Sequence, residues 1–304
     1  MKRKSKRKYV SGVSYYASIS DLMSCLVFIF IITIVALAIT LRDHVKESNE
    51  AKTEYSNSLE ARNQLMRKIR DDLQKMKIRV FVDDENGIIS FPESTIFSSG
   101  EASVSNVGQA VFKQVGTSLN KYLECNSKEQ IKYLCDGSII RVDSIIVEGH
   151  ADPSLLKGRL KRKHRSNLNL SLKRALNTYT LIDEEFDSDL FLNSKGEGIM
   201  GAAGYGSLKP PRKLAGNVYD SLFENDLSLS KKMVQKYNDL KTVDHNHKIG
   251  KLIDFLKLNG RKEKKKELVS LTFRSFRRID LRFIMSLPKI LKEKDGKISS
   301  EDNS

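Results

Sequence analysis

Between Leu22 and Leu41 the chain runs for 20 residues without a charged side chain, and only Ser24, Thr33 and Thr40 are polar. At about 1.5 Å per residue, such a helix matches a hydrocarbon core of about 30 Å. A cleavable signal peptide would have a shorter apolar core followed by a small-residue cleavage site. Here Arg42, Asp43 and His44 follow directly, so the run reads as an uncleaved membrane anchor. Six basic residues lie within Lys2–Lys8 ahead of it, against Arg42 and Lys46 just after. The positive-inside rule then places residues 1–20 in the cytoplasm, the span at 21–41, and everything beyond it on the far side. In a Gram-negative cell this is an inner-membrane, single-pass protein with a periplasmic C-terminal domain. Tyr15 and Tyr16 suit the headgroup level at the cytoplasmic entry.

Charge is blocky. The 304 residues carry 53 Lys and Arg against 38 Asp and Glu, a net +15. Lys2–Lys8 holds +6, Lys157–Arg165 holds +6 and Arg261–Lys266 holds +4, so the rest of the chain is near neutral. That argues against a uniformly basic nucleic-acid coat, and aromatic residues do not interleave the two internal blocks. No nucleic-acid partner is expected. Hydrophobic residues make up 39% of the chain in periodic runs, too many for wholesale disorder. Three cysteines without Cys-x-x-Cys exclude a standard zinc site or thioredoxin motif.

Asp21, at the mouth of the apolar run, has two readings. Ser18-Ile19-Ser20-Asp21 has the form of a capping box, with the carboxylate favoured at a helix N-terminus. If the helix instead starts near Ser14, Asp21 lies two turns in, where a carboxylate is costly unless protonated, paired or water-lined, and is a candidate for carrying ions. From Leu41 to Val80, steps of four and three residues meet apolar side chains at nine of twelve positions, Met66, Ile69, Leu73 and Met76 among them. This 3.5-residue period predicts a coiled-coil linker over 42–78, a parallel homodimer about 60 Å long. A single amphipathic helix lying on another domain is the alternative.

The distal part predicts α+β. Strands are expected at Arg79–Asp83, Gly87–Phe91, Ser138–Glu148, Gly198–Ala203 and Arg278–Met285, with helices at Ala102–Leu123 and Leu168–Ile182 on one sheet face. Interruptions fall at 153–166, 183–197 and 220–270 within a domain of residues 79–290. Residues 291–304 read as a disordered tail.

These residues resemble a known family. Val147-Glu148-Gly149-His150-Ala151-Asp152 looks like the V-x-G-H-T-D strand end of OmpA-like peptidoglycan-binding domains. Asn167 to Ala175 fits their N-x-x-L-S-x-x-R-A helix start, and Gly204 to Pro210 their G-x-G-E-x-x-P turn. Phe276 to Leu281 resembles the N-R-R-V-E-I last strand, and Ile96 to Gly100 the early L-F-x-x-G element. The resemblance implies an OmpA-like β/α domain with helical insertions, in which Asp152 and Arg174 clamp the zwitterionic end of the stem peptide's diaminopimelate. One anionic and one bidentate cationic group suit such a ligand; an ordinary surface ion pair is the bland reading of the same two residues. The chain departs from the pattern in three places: 17 residues separate Asp152 from Leu170, Ser207 stands for Glu, and Phe276 stands for Asn. The extra length holds the basic block Lys157–Arg165, a solvated loop or a contact for anionic cell-wall groups.

A basic tip, a span opening with Asp21, a coiled-coil neck and an OmpA-like domain together resemble a MotB-type stator subunit. Tyr16 to Ser24 is similar to that family's Y-A-D-[FL]-M-[ST] segment, with Asp21, Met23 and Ser24 aligned. The resemblance implies a homodimer inside a ring of a MotA-like multi-span partner, driven by proton motive force or a sodium gradient. In this rotary motor H+ or Na+ passes Asp21 and no cofactor is needed. The layout also resembles the ZorB subunit of Zorya anti-phage defence, whose partner would be ZorA-like. A flagellar stator subunit and a passive peptidoglycan anchor without ion conduction are the alternatives. No Ser/His/Asp order or catalytic carboxylate pair stands out, so the chain is not expected to be an enzyme.

Cys125 and Cys135 flank a short insert and would form a disulfide or remain free thiols. Cys25 lies in the span and should be free. His150 is expected to be structural. His245 and His247 lack further clustered ligands, so no metal is expected there.

Overall fold

The computed structural model describes residues 13–286, apart from 79, 99, 124–141, 194, 215, 225, 241 and 243. The chain divides into two units: residues up to Tyr55 together with those from Leu287 onward, and Ser56–Ser286. Cys125 and Cys135 and the tail 291–304 lie outside the described residues.

In the first unit the described structure is helical, the opening part of α1 (Val13–Lys75). Apolar side chains from Leu22 to Leu41 are exposed all round. The polar residues of this stretch are satisfied by their own helix. Ser24 Oγ donates to the Ser20 carbonyl at 2.9 Å, Thr33 Oγ1 to that of Phe30 at 2.8 Å, and Thr40 Oγ1 to that of Ala36 at 2.8 Å. No hydroxyl is left needing water, the condition a lipid-facing helix must meet.

The second unit is a five-stranded sheet with helices against it. After the end of α1 come β1 (Phe81–Asp83), β2 (Ile88–Pro92), the short α2 (Glu93–Ile96), α3 (Asn106–Tyr122) and β3 (Val142–His150). Then follow α4 (Gly158–His164), α5 (Asn167–Phe186), β4 (Met200–Gly206), α6 (Leu227–Asp239), α7 (His245–Leu258), α8 (Lys265–Phe276) and β5 (Arg278–Met285). Strand order is β1-β2-β5-β3-β4. Among the described residues only β3 and β4, joined through α4 and α5, are parallel. The last strand, β5, thus lies in the middle of the sheet.

Alternation along β2, β3 and β5 sorts the side chains into two faces. Ile89, Phe91, Ile145, Val147, Ile279, Leu281 and Phe283 enter the core, which α3 and α5 close with Phe112, Val115, Leu119, Ala175, Ile182 and Phe186. Ser90, Glu148, His150, Arg278, Asp280 and Arg282 take the opposite face. Helix α5 reaches Phe186, beyond the expected end at Ile182, because Phe186 fills this core and stacks on Phe191 at 4.3 Å between centroids. At β3 and β4 it comes very close to the sheet. A Cβ on Gly149 would lie 2.0 Å from the Ser171 carbonyl oxygen, and one on Gly204 2.5 Å from the Leu172 nitrogen. The two glycines of the recognised motifs are therefore demanded by helix–strand contact.

The linker expectation changes here. Leu65, Met66, Ile69 and Leu73 of α1 are fully buried in the same core as α3 and α5, and the compact unit begins at Ser56 rather than at residue 79. Asp72 reinforces the contact, accepting hydrogen bonds from Ser118 Oγ at 3.0 Å and Tyr122 Oη at 2.9 Å. In this stretch the apolar stripe covers the chain's own domain, so a coiled coil through 42–78 is corrected to a helix that docks from about residue 62 onward. A seam of nearly 3.5-residue spacing and a docking face look alike in sequence.

The insertion around 220–270 builds a second core. Tyr219, Met233, Tyr237, Leu252, Leu256 and Leu268 pack together from α6, α7, α8 and the chain before them, separately from the sheet core.

Candidate functional site

Asp152 follows β3, in a short loop held in shape by Asn167. The Asn167 Nδ2 donates to the carbonyls of Asp152 at 3.0 Å and Ser154 at 2.7 Å. Asp152 Oδ1 accepts from the Ser154 backbone N–H at 2.8 Å, and its Oδ2 accepts from Arg277 Nη1 at 2.8 Å. Arg174 comes from α5, whose N-terminus Ser166 caps by accepting from the Asn169 N–H. Its guanidinium donates to Glu93 and to the Glu101 carbonyl, and lies over the Phe97 ring at 4.8 Å.

The two expected clamp residues therefore share one site but do not pair with each other. Arg277, just before β5, bridges them through ion pairs to Asp152 and Glu93. The result is a row of alternating charges, Arg174–Glu93–Arg277–Asp152, neutral in sum. Burial pulls the Arg174 guanidinium below the usual arginine value, with Glu93 opposing that shift. Burial acts on Arg277 in the same direction but is outweighed by Asp152 and Glu93, which hold its value above the usual one.

Exposure separates the roles. Arg174 is 2% exposed, while the Arg277 side chain is 35% exposed. Arg277 is thus the member of the row that solvent reaches most readily, and Arg174 lies behind it, joined through Glu93. Sequence reasoning missed both Arg277 and Glu93. The signal for Arg277 was the Arg-Arg pair in the last-strand motif; Glu93 carried none.

The basic block Lys157–Arg165 is not a free loop. It forms α4, tied down by His164, whose Nε2 lies 3.0 Å from the Gly100 carbonyl oxygen, by a Lys163–Glu101 ion pair, and by Leu160 against Gly100. Burial lowers the pKa of His164. Arg159, Lys161 and Arg162 remain exposed on α4.

No protein-family model and no curated protein matches the chain. Its neighbours among solved structures are MotB-like periplasmic domains and OmpA-like domains. A MotB-like protein from Desulfovibrio vulgaris is 11% identical, covering 75% of this chain and 96% of that one, with a TM-score of 0.40. The cell wall anchor of the type VI secretion system from Pseudomonas aeruginosa is 15% identical, covering 74% and 99%, with a TM-score of 0.38. The periplasmic domain of Helicobacter pylori MotB is 13% identical, covering 71% and 87%, with a TM-score of 0.33.

A second polar cluster lies on the opposite sheet face. Arg282 forks onto Glu148 at 2.8 and 2.9 Å, and Arg278 Nε donates to Asp280 at 2.9 and 3.0 Å. His150 lies 3.2 Å from Asp280 and 3.7 Å from Glu148 and stacks on Tyr205, which suits the structural role expected for it. Glu148, His150 and Asp280 have the donor types of a metal site. Each carboxylate already faces an arginine, however, so a divalent cation would meet Arg278 and Arg282 at close range. The donor set does not fit a metal.

Asp21 lies eight residues inside α1, which begins at Val13. Ser18 therefore stands in the helix interior and cannot be its N-cap, and the capping-box reading falls. Asp21 is exposed and, among the described residues, has no ion-pair partner in its own chain.

Proposed function

We propose that this chain is a MotB-type subunit of an ion-driven inner-membrane motor, crossing the membrane once with its N-terminus in the cytoplasm. In this reading Asp21 carries H+ or Na+ between access from either side, gaining and losing its charge as it does so. Two copies stand inside a ring of a MotA- or ZorA-like multi-span protein, and the periplasmic domain fastens the complex to peptidoglycan. The observation that carries the reading is the placement of Asp21 two turns inside a helix, at the entry of a 20-residue uncharged run. Without an ion-pair partner among the described residues, a carboxylate there is an expensive feature unless an ion or a second protein uses it.

For the wall contact, the support is the Arg174–Glu93–Arg277–Asp152 row. It offers an anion for an ammonium group and a half-exposed guanidinium for a carboxylate, as a zwitterionic stem-peptide end requires. No step of this reading asks for covalent chemistry, so the chain is a binding and conducting protein rather than an enzyme. The basic face of α4 and the helical insertion distinguish it from a compact stator subunit, which favours a defence motor of the Zorya kind over a flagellar one.

The test is ion flux in vesicles holding the chain co-expressed with a MotA- or ZorA-like multi-span protein. Asp21→Asn is expected to keep assembly and peptidoglycan binding while abolishing flux. Unchanged flux in that variant, or none in wild type, reduces the chain to a passive anchor.

A further inference from the structure

The polar face of the sheet opens into a cavity of about 750 Å³, roofed by the insertion and lined by neither Asp152 nor Arg277. Its size is that of a small-molecule site. The floor is electrostatically closed, because Arg278 and Arg282 are spent on Asp280 and Glu148. At the rim Lys213 pairs with Glu85 at 2.8 Å.

Two cations of the lining, Lys248 and Arg212, have no carboxylate partner among the described residues. Lys248, from α7, is only 4% exposed, and among the described residues it has no carboxylate partner. Its Nζ donates to the Arg212 carbonyl at 3.2 Å and lies 4.3 Å from the centroid of the Tyr237 ring. An ammonium group has three protons to place, and these contacts leave it short of partners. Burial lowers its pKa with no nearby acid to oppose the change. Arg212, on the same wall, donates its guanidinium to the neutral amide oxygen of Asn86. A buried ammonium without a counter-ion is costly. Here the cost falls on a side chain that lines a cavity.

We propose that this cavity binds a sugar-sized anion, with its phosphate or carboxylate against Lys248 and Arg212. The apolar surfaces of Phe81 and Leu240, which also line the space, would receive the ring. This site is separate from the Asp152 row and does not depend on the reading given to that row. The helical insertion then supplies the buried cation, Lys248, and the wall that encloses the ligand.

The experiment is titration calorimetry on the full-length protein in detergent with glucose 6-phosphate, glucuronate, glucose and inorganic phosphate. Saturable binding of at least one anionic sugar is expected, with glucose at least tenfold weaker. Preference for glucose 6-phosphate assigns a phosphate head and preference for glucuronate a carboxylate head; either result supports the site. Lys248→Met should weaken that binding at least tenfold and Arg212→Gln severalfold, while Lys232→Gln on the exposed side of α6 should not change it. Asp152→Asn should also leave it unchanged, which separates this site from peptidoglycan binding. Circular dichroism checks that the variants fold, and Arg212→Gln serves if Lys248→Met does not. No saturable binding of either anionic sugar, binding of inorganic phosphate alone, or affinity unaltered by the folded cleft variants overturns the proposal.

Discussion

Arg277 Nη1 donates to Asp152 Oδ2 at 2.8 Å, across 125 residues of sequence. This bond joins the loop after β3 to the entry of β5, and it ties the expected anion of the site to a cation that the motif reading had not assigned. The exposed member of the row is Arg277, so its loss should be felt by ligand before it is felt by the fold. Arg277→Gln and Asp152→Asn are each expected to lower co-sedimentation with purified peptidoglycan about tenfold, or about 1.4 kcal/mol, with a smaller fall in melting temperature than loss of Arg174 brings. Retention of wild-type binding by both variants would remove the row from the wall contact.

Arg174 should behave differently. Removing it leaves Glu93 buried beside the core without its deepest partner. Arg174→Ala is expected to cost about 3–5 kcal/mol of stability, seen as a fall in the urea midpoint. A variant as stable as wild type would show that Glu93 is satisfied without Arg174.

The docked part of α1 makes a separate prediction. Ile69→Ala removes a fully buried side chain from the sheet core and should destabilise the domain by about 2–5 kcal/mol. Val45→Ala, on the exposed part of the helix, should leave domain unfolding unchanged. If Ile69→Ala altered only self-association, the stripe would belong to a coiled coil after all.

Gly149 and Gly204 test the closeness of α5 to the sheet. Gly149→Ala places a methyl group where the Ser171 carbonyl already lies, and overpacking of this kind costs about 1–3 kcal/mol or more. Gly201→Ala, which meets open space on the same sheet, is the matched control for thermal melting.

Acid should unfold the domain through the buried carboxylates. Burial alone would raise the pKa of Glu148, but its contacts with His150 and Arg282 prevail and bring it to about 2, against 4.5 ordinarily. Asp280 is lowered in the same manner, with burial opposed by Arg278 and His150. A depressed folded-state pKa contributes stability that is fully present above the unfolded value and disappears as pH falls toward the folded one. The melting temperature should therefore hold from neutral pH to about 5, then drop between about 4.5 and about 2. In Glu148→Gln that drop should be shallower, from a lower starting point.

Much of this architecture was legible in the residues. The uncharged run marked out a helix long and apolar enough to cross a bilayer, and residues 22–41 are helical with their apolar side chains exposed. Arg278–Met285 alternates so regularly that the expected strand matches the observed one at both ends. Glycines 149 and 204, together with the Asn-Leu-Asn-Leu-Ser start of α5, carried the motif because helix–strand contact tolerates nothing larger there. What only the tertiary structure decided was the choice of partners. The spacing of Met66, Ile69 and Leu73 says that one face must be covered but not by what, and the fold supplied α3 and α5 of the same chain. Arg174 and Asp152 were both visible, yet their counter-ions, Glu93 and Arg277, are set by a strand order that brings the last strand into the middle of the sheet. Nothing in the sequence marks Lys248; folding of the insertion over the polar face is what leaves it buried at the wall of a cavity. Local sequence records periodicity, charge and backbone need; which distant groups meet depends on how the sheet is assembled, and no stretch of chain contains that information alone.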